Sequence, residues 1–346
     1  MKNDFFKKLK KPYIIAEIGV NHECSLRRAK SMILLAKRGG ANAVKFQTYK
    51  ADKLASKNSP VYWDKQKEKT RSQYQLFKKY DKFGFKEYKI LHHYCKKIKI
   101  NFVSTPFDIE SVQYLKSLVP FFKIASADIN NLPLLKSVAK THKPVLVSTG
   151  ASTVTEIKNA VSILKKNGAK NIAIMHCILN YPTKDIDANL GMIKSLKKIF
   201  PKNVIGYSDH TLPDKYMSSL LFAYAMGAEI FEKHFTDNKK LLGNDHYHSM
   251  NYKDILIFKK SAKNLKIKLG NFDKKPIQSE IKSIKFARRS IYSKTKIQKG
   301  DKIKKYQIIC KRPGIGISPL LWDKVLGKTA KINILEDKPI KWKFLR

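Results

Sequence analysis

Two short stretches set imidazoles beside carboxylates and hydroxyls at the ends of apolar runs. Val204-Ile205-Gly206 leads into Tyr207-Ser208-Asp209-His210-Thr211, and Ile230-Phe231 leads into Glu232-Lys233-His234. Taken alone, the first stretch is as well explained by a helix cap, because Asp209 or Thr211 could accept a backbone N–H ahead of Leu212-Pro213-Asp214. Polar residues also close other apolar runs: Glu17, Lys45 with Gln47, Ser104 with Thr105, Lys123 with Ser126, Ser148 with Thr149, and His176. Lys45 and Lys123 stand inside otherwise apolar segments, where an unpaired ammonium costs several kcal/mol to bury. An anionic ligand would offset that cost. The hydroxyls of Thr105, Ser126 and Ser148 suit a phosphate or carboxylate, so the set reads as an anion site with imidazoles at its edge.

The elements that must position these residues are legible as a repeated pattern. Short aliphatic runs begin at Tyr13, Ala43, Ile100, Phe121, Pro144, Asn171, Val204 and Glu229, and each is followed by a stretch of helical spacing such as Leu26 to Arg38 or Leu190 to Phe200. Nearly continuous apolar strands separated by helices indicate a parallel sheet covered on its outer face. Eight such units in about 255 residues predict a (β/α)8 TIM barrel, whose chemistry lies at the C-terminal ends of the strands. A doubly wound sheet would want a GxGxxG turn after an early strand, and the sequence has none. The connection from Lys50 to Phe83 lacks apolar periodicity but carries Tyr62, Trp63, Tyr74 and Tyr80, which predicts a lid or binding loop.

We expect the barrel domain to span 1–270, a polar linker 271–284, and a compact, β-rich domain 285–346 with glycine turns at KGD, PGIG and LGK. A unit of about 60 residues buries little surface by itself and should pack on something else. The 346-residue chain carries a net charge of +44. Such a charge invites a nucleic-acid or anionic-membrane reading. The lysines are spread over nearly every helical segment instead of forming one stripe, so a solvated exterior is the better account, with no nucleic-acid or membrane partner. Cys24, Cys95, Cys177 and Cys310 form no CxxC pair, and no secretory pattern precedes them, which leads us to expect a reduced, cytoplasmic protein. No apolar run approaches the roughly 20 residues needed to cross a bilayer.

With these features together, the sequence resembles the sialic acid synthase (N-acetylneuraminate synthase) family. The matching stretches are AEIGVNHE at 16–23, VKFQT at 44–48, STPF at 104–107, KIAS at 123–126, STG at 148–150, HC and YPT within 176–183, GYSDHT at 206–211, EKHFT at 232–236, GND at 243–245 and KRPGIG at 311–316. The tail resembles the family's antifreeze-like (SAF) domain. The resemblance implies a transferase that condenses phosphoenolpyruvate with an N-acyl amino-hexose, giving a nine-carbon 2-keto sugar acid and phosphate. It implies a divalent metal on His210 and His234, Mn2+ by family preference with Mg2+ or Co2+ as alternatives. It further implies phosphoenolpyruvate contacts from Lys45, Thr105, Lys123, Ser126, Ser148 and Ser208, and sugar contacts from Gln47, Asp128, Tyr181 and Asp245. Glu17 would orient or deprotonate the attacking water. Arg312 would reach the N-acyl group from the tail of a partner subunit in a swapped homodimer. His246 and His248 are read as loop residues because the family's ligand positions are already filled, and His176 as a packed barrel histidine; Glu232 is left between a supporting and a structural role.

The sequence departs from the family's pattern around the sugar. Asp128 stands where enzymes using N-acetylmannosamine have a glutamate, Leu179 where they have an asparagine, and Ile315 where they have the asparagine of RPGNG. The acceptor is therefore either N-acetylmannosamine or a diacetamido-deoxyhexose of the legionaminic or pseudaminic type. The rival readings are another phosphoenolpyruvate–aldehyde condensation on the same barrel, against which the tail argues, and a basic nucleic-acid-binding scaffold.

Overall fold

The alternation of apolar strands and amphipathic helices closes into a ring. The computed structural model describes residues 4–63, 65–243 and 245–346. Its strands are β1 (Tyr13–Gly19), β2 (Ala43–Thr48), β3 (Asn101–Pro106), β4 (Phe122–Ile124), β5 (Val145–Ser148), β6 (Ile172–Cys177), β7 (Ile205–Asp209) and β8 (Ile230–His234). They form one parallel sheet in the order β3-β2-β1-β8-β7-β6-β5-β4, and β3 runs beside β4 without a ladder, so the eight-stranded TIM-type barrel is nearly closed. Helices cover the outside. Leu26–Gly39 buries Ala29, Met32, Ile33 and Ala36, and Val154–Lys166 buries Ile157, Ala160, Val161 and Leu164, each at the three-to-four spacing of one helix face. Their starts are set locally: Ser25 Oγ accepts from the Arg28 N–H, and Thr153 and Glu156 form a reciprocal capping box.

Inside the ring, side chains alternate in the period of two that a strand imposes. Ile15, Ala43, Val103, Phe121, Leu146 and Ile230 fill an apolar floor, with Phe6 from the N-terminal turn packed into it. Two residues further along the same strands stand Glu17, Lys45, Thr105, Lys123, Ser148 and Glu232. The floor excludes water from below and the polar layer above it faces the C-terminal mouth. Gly206 allows β7 to approach β8 closely, since a Cβ there would lie 2.7 Å from the Ile230 carbonyl oxygen.

The chain divides into two compact units, residues 1–269 and 270–346. The segment expected as a linker contains a single turn at Gln278–Glu280 and the start of a helix, Ile281–Ala287. In the second unit, β9 (Ser290–Ser293) pairs antiparallel with β10 (Ile308–Lys311), and isolated bridges such as Ile297–Ile334 and Ala330–Leu345 tie the rest. Its core is Ile291, Ile297, Ile303, Ile308, Ile317, Val325, Ile334 and Ile340. Regular strands are fewer than the alternating pattern suggested, because glycines and prolines interrupt it. Gly316 is one such point: a Cβ there would meet the Ile340 carbonyl oxygen at 2.7 Å. The Lys50–Phe83 connection also carries two short helices, Ala51–Leu54 and Gln73–Tyr80, the latter begun by Ser72 accepting from the Gln75 N–H. Among the described residues no helix is long and apolar enough to cross a membrane.

Candidate active site

The polar layer opens into a cavity of about 430 Å3 at the C-terminal ends of the strands. Glu17, Lys45, Gln47, Thr105, Lys123, Ser126, Asp128, Ser148, Tyr181, Ser208, His210, His234 and Asp245 all line it. Arg312 belongs to the second unit, where it follows β10 and is exposed. In the sequence His176 read as a packing residue, and its Nε2 is hydrogen-bonded to the Ala188 carbonyl (2.9 Å) while its ring stacks on Tyr207.

The two buried lysines are not unpaired, contrary to expectation. Lys45 Nζ lies 2.7 Å from Glu17 Oε2 and 3.7 Å from Glu232 Oε1, and donates to Thr105 Oγ1 at 2.9 Å. Lys123 Nζ donates to Glu232 Oε1 at 3.1 Å, an oxygen that also accepts from Ser208 Oγ at 3.3 Å. The cause is geometric: β1 and β8 each place a carboxylate at the inward position level with the lysines. Burial works to raise both acids. For Glu232 the Lys123 and Lys45 ammoniums outweigh it and hold the carboxyl below its usual range, whereas Glu17, repelled by Glu232, stays above it. Burial also works against the Lys45 ammonium, but Glu17 and Glu232 outweigh it and raise that group. Ser148 Oγ and Glu232 Oε2 are buried without a hydrogen-bond partner. An anion entering here finds two ammoniums and several hydroxyls already converged.

On the other side of the mouth, the His210 and His234 rings lie 5.6 Å apart. His210 Nδ1 is 2.8 Å from the Ile178 carbonyl oxygen, which can only accept; a proton therefore sits on Nδ1, and Nε2 is the nitrogen left to bind a metal. Burial, followed by the neighbouring His248 and His210, holds His234 well below the usual imidazole range, so it is neutral. Two imidazoles at adjacent strand ends, each with a nitrogen able to offer a lone pair, fit a divalent transition metal. Tyr181 packs against His210 at 4.2 Å between centroids. Asp245, 3.5 Å from His234 Nδ1, is pushed up to about 7 by burial and, next, by the charge of Glu17.

The backbone around His210 is held from behind. Lys233 lies between the inward-facing Glu232 and His234 and is buried on the far side of β8, donating to Asp209 Oδ2 (2.7 Å) and to the Thr211 carbonyl (2.6 Å). Asp209 Oδ1 in turn accepts from Tyr207 Oη, Thr211 N and Thr211 Oγ1. Sequence reasoning passed over Lys233, although it was a third lysine in an apolar run. It also gave no role to Cys177, whose Sγ lies 3.8 Å from His210 Nδ1, or to Phe107 in the cavity wall, whereas Leu54, Leu76, Phe77 and Tyr80 of that wall come from the connection expected as a lid or binding loop. Nearer the sugar-contact candidates, Asp128 Oδ1 accepts from Asn131 while Oδ2 is buried and unpartnered, and Leu179 lines the same cavity.

The sequence pattern of the NeuB family matches residues 32–274 and that of the SAF domain residues 288–346. The chain belongs to the NeuB family. This NeuB-family chain is 40% identical to the N,N'-diacetyllegionaminic acid synthase of Campylobacter jejuni, over 96% of its own length and 100% of that protein. It is 31% identical to the pseudaminic acid synthase of Helicobacter pylori, over 96% and 97%. Among solved structures it resembles the N-acetylneuraminic acid synthetase of Leptospira borgpetersenii in complex with citrate, with a TM-score of 0.69 and 36% identity over 80% of this chain and 90% of that one.

Proposed function

We propose that this chain is a phosphoenolpyruvate-dependent nonulosonate synthase that extends a diacetamido-deoxyhexose of the legionaminic type. One observation carries the reaction class: two buried lysines with converging hydroxyls share one cavity with two histidines at adjacent strand ends. In this reading Lys45 and Lys123, with Thr105, Ser126, Ser148 and Ser208, hold the phosphate and carboxylate of phosphoenolpyruvate. C3 of the enol attacks the open-chain aldehyde of the sugar, water adds at C2, and phosphate leaves with C–O cleavage. Glu17, raised by burial, is able to take the proton of that water. Gln47 donates to Glu17 (3.1 Å) and fixes its orientation, and with Asp128, Tyr181 and Asp245 it faces the sugar. A divalent ion, Mn2+ in this reading, would be held by His210 and His234 and would supply polarisation of the aldehyde or positioning of the water.

The acceptor assignment rests on the full-length identity to the legionaminic acid synthase and on the cavity wall. Leu179, Leu76, Phe77 and Phe107 give apolar contact suited to a 6-deoxy carbon and acyl methyl groups. The second unit is assigned, by the same reading, to a swapped homodimer in which Arg312 serves the partner's barrel, and the setting to the cytoplasm. Product mass spectrometry with phosphoenolpyruvate and a panel of acyl-amino hexoses tests the proposal. The expected product is the nine-carbon acid of the diacetamido-deoxyhexose. A better yield with N-acetylmannosamine would move the acceptor, and no phosphate release with any sugar would overturn the reaction class.

A further inference from the structure

The loop after β8 carries two histidines with opposite surroundings. His246 is satisfied: its Nδ1 pairs with Thr236 Oγ1 at 2.8 Å and its Nε2 lies 3.6 Å from Glu23. His248 is fully buried, and neither of its ring nitrogens has a hydrogen-bond partner. A polar ring stripped of water and left bare on both nitrogens is uncommon in a folded interior and calls for a ligand. Its ring lies 5.0 Å from that of His234, whose Nδ1 is also buried and unpartnered. Asp245 stands between them, with Oδ2 3.5 Å from His234 Nδ1 and Oδ1 3.9 Å from His248 Nε2. One donor atom from each of the three residues lies within 4.8 Å of the others. Donors bound to one ion at about 2.1 Å stand roughly 3–4 Å apart, so small side-chain adjustments bring this set onto a metal.

We propose that His248, with His234 and Asp245, ligates a divalent transition-metal ion, so that the ion assigned to His210 and His234 gains a third imidazole and a carboxylate. The proposal rests on the reading that an ion binds beside His234, and deepens it. Three imidazoles favour Mn2+, Co2+ or Zn2+ over Mg2+, which prefers oxygen ligands and retains its waters.

Titration of the chelator-stripped full-length protein with MnCl2 by calorimetry tests it, alongside His248→Leu and His210→Ala. His248→Leu replaces bare nitrogens with carbon of similar volume, so the metal-free melting temperature should be kept or raised. Its Mn2+ affinity should fall ~10-fold or more, and the thermal stabilisation that Mn2+ gives the wild type should shrink with it. Unchanged affinity in His248→Leu, with binding lost in His210→Ala, would overturn this proposal and leave the two-histidine reading standing; no Mn2+ uptake by the wild type would overturn both. X-ray absorption on the Co2+-loaded wild type needs no variant: three imidazoles per ion are expected, and two would refute the assignment.

Discussion

Lys233→Met isolates the network that holds the β7 and β8 ends together. The Lys233–Asp209 pair is 2.7 Å long and each side chain is only 1% exposed, so solvent screens it little. Removing the ammonium leaves a buried carboxylate without its cation and the Thr211 carbonyl without its donor. Breaking such a pair from one side costs about 3–5 kcal/mol. For a unit of this size about 4 kcal/mol corresponds to a fall in melting temperature of about 8–16 °C. Asp209→Asn should cost a similar amount, because it keeps the acceptor for Tyr207 and Thr211 but strands the ammonium. The double variant should cost clearly less than the sum of the two, since neither charge is then left alone. The assay is thermal unfolding of the four proteins in chelator, followed by near-ultraviolet circular dichroism. Single variants losing under about 1 kcal/mol, or strict additivity, would refute the reasoning.

His210→Ala and His234→Ala should each abolish turnover with the far-ultraviolet spectrum unchanged, and excess chelator should do the same to the wild type; full activity in chelator would sink the metal assignment. Lys45→Met and Lys123→Met should lower kcat/KM for phosphoenolpyruvate by about 2–5 kcal/mol, roughly 30-fold to several thousand-fold, while changing the KM for the sugar little. Neither should gain stability, because Glu17 or Glu232 loses a partner; equal effects on both substrates would contradict the role. Asp245, held near 7 in the folded protein against an ordinary 3.8, keeps its proton while the unfolded chain has lost it, so stability falls as pH rises from about 4 to 7. Asp245→Asn in chelator should therefore raise the melting temperature more at pH 7, where the gain is up to about 4 kcal/mol, than at pH 5; a gain independent of pH would count against the shift. Mixing His234→Ala subunits with Arg312→Ala subunits should restore roughly a quarter of wild-type activity, since one site of each mixed swapped dimer is intact. A mixture that stays inactive after exchange is verified by mass would place Arg312 at its own barrel.

The barrel was legible because its cause is local. A strand covered on both faces must be nearly continuously apolar, and the helix behind it must repeat every three to four residues, so both patterns survive in the sequence. Polar residues at the strand ends were legible for the same reason: Lys45 and Lys123 interrupt runs that otherwise tolerate no charge. The period of two gives the side of the sheet a residue faces but not its partner across the lumen. Lys123 and Glu232 are 109 positions apart, and only closure of the ring brings them to 3.1 Å, which turned two supposedly unpaired ammoniums into a balanced cluster. His248 shows the same limit from the other direction. With His246 it read as a loop residue, yet the loop's path satisfies one ring with Thr236 and turns the other into a dry pocket beside His234. Residue type and local period are written along the chain, whereas pairing energy depends on distance and burial, and these exist only once the ring and its loops have formed.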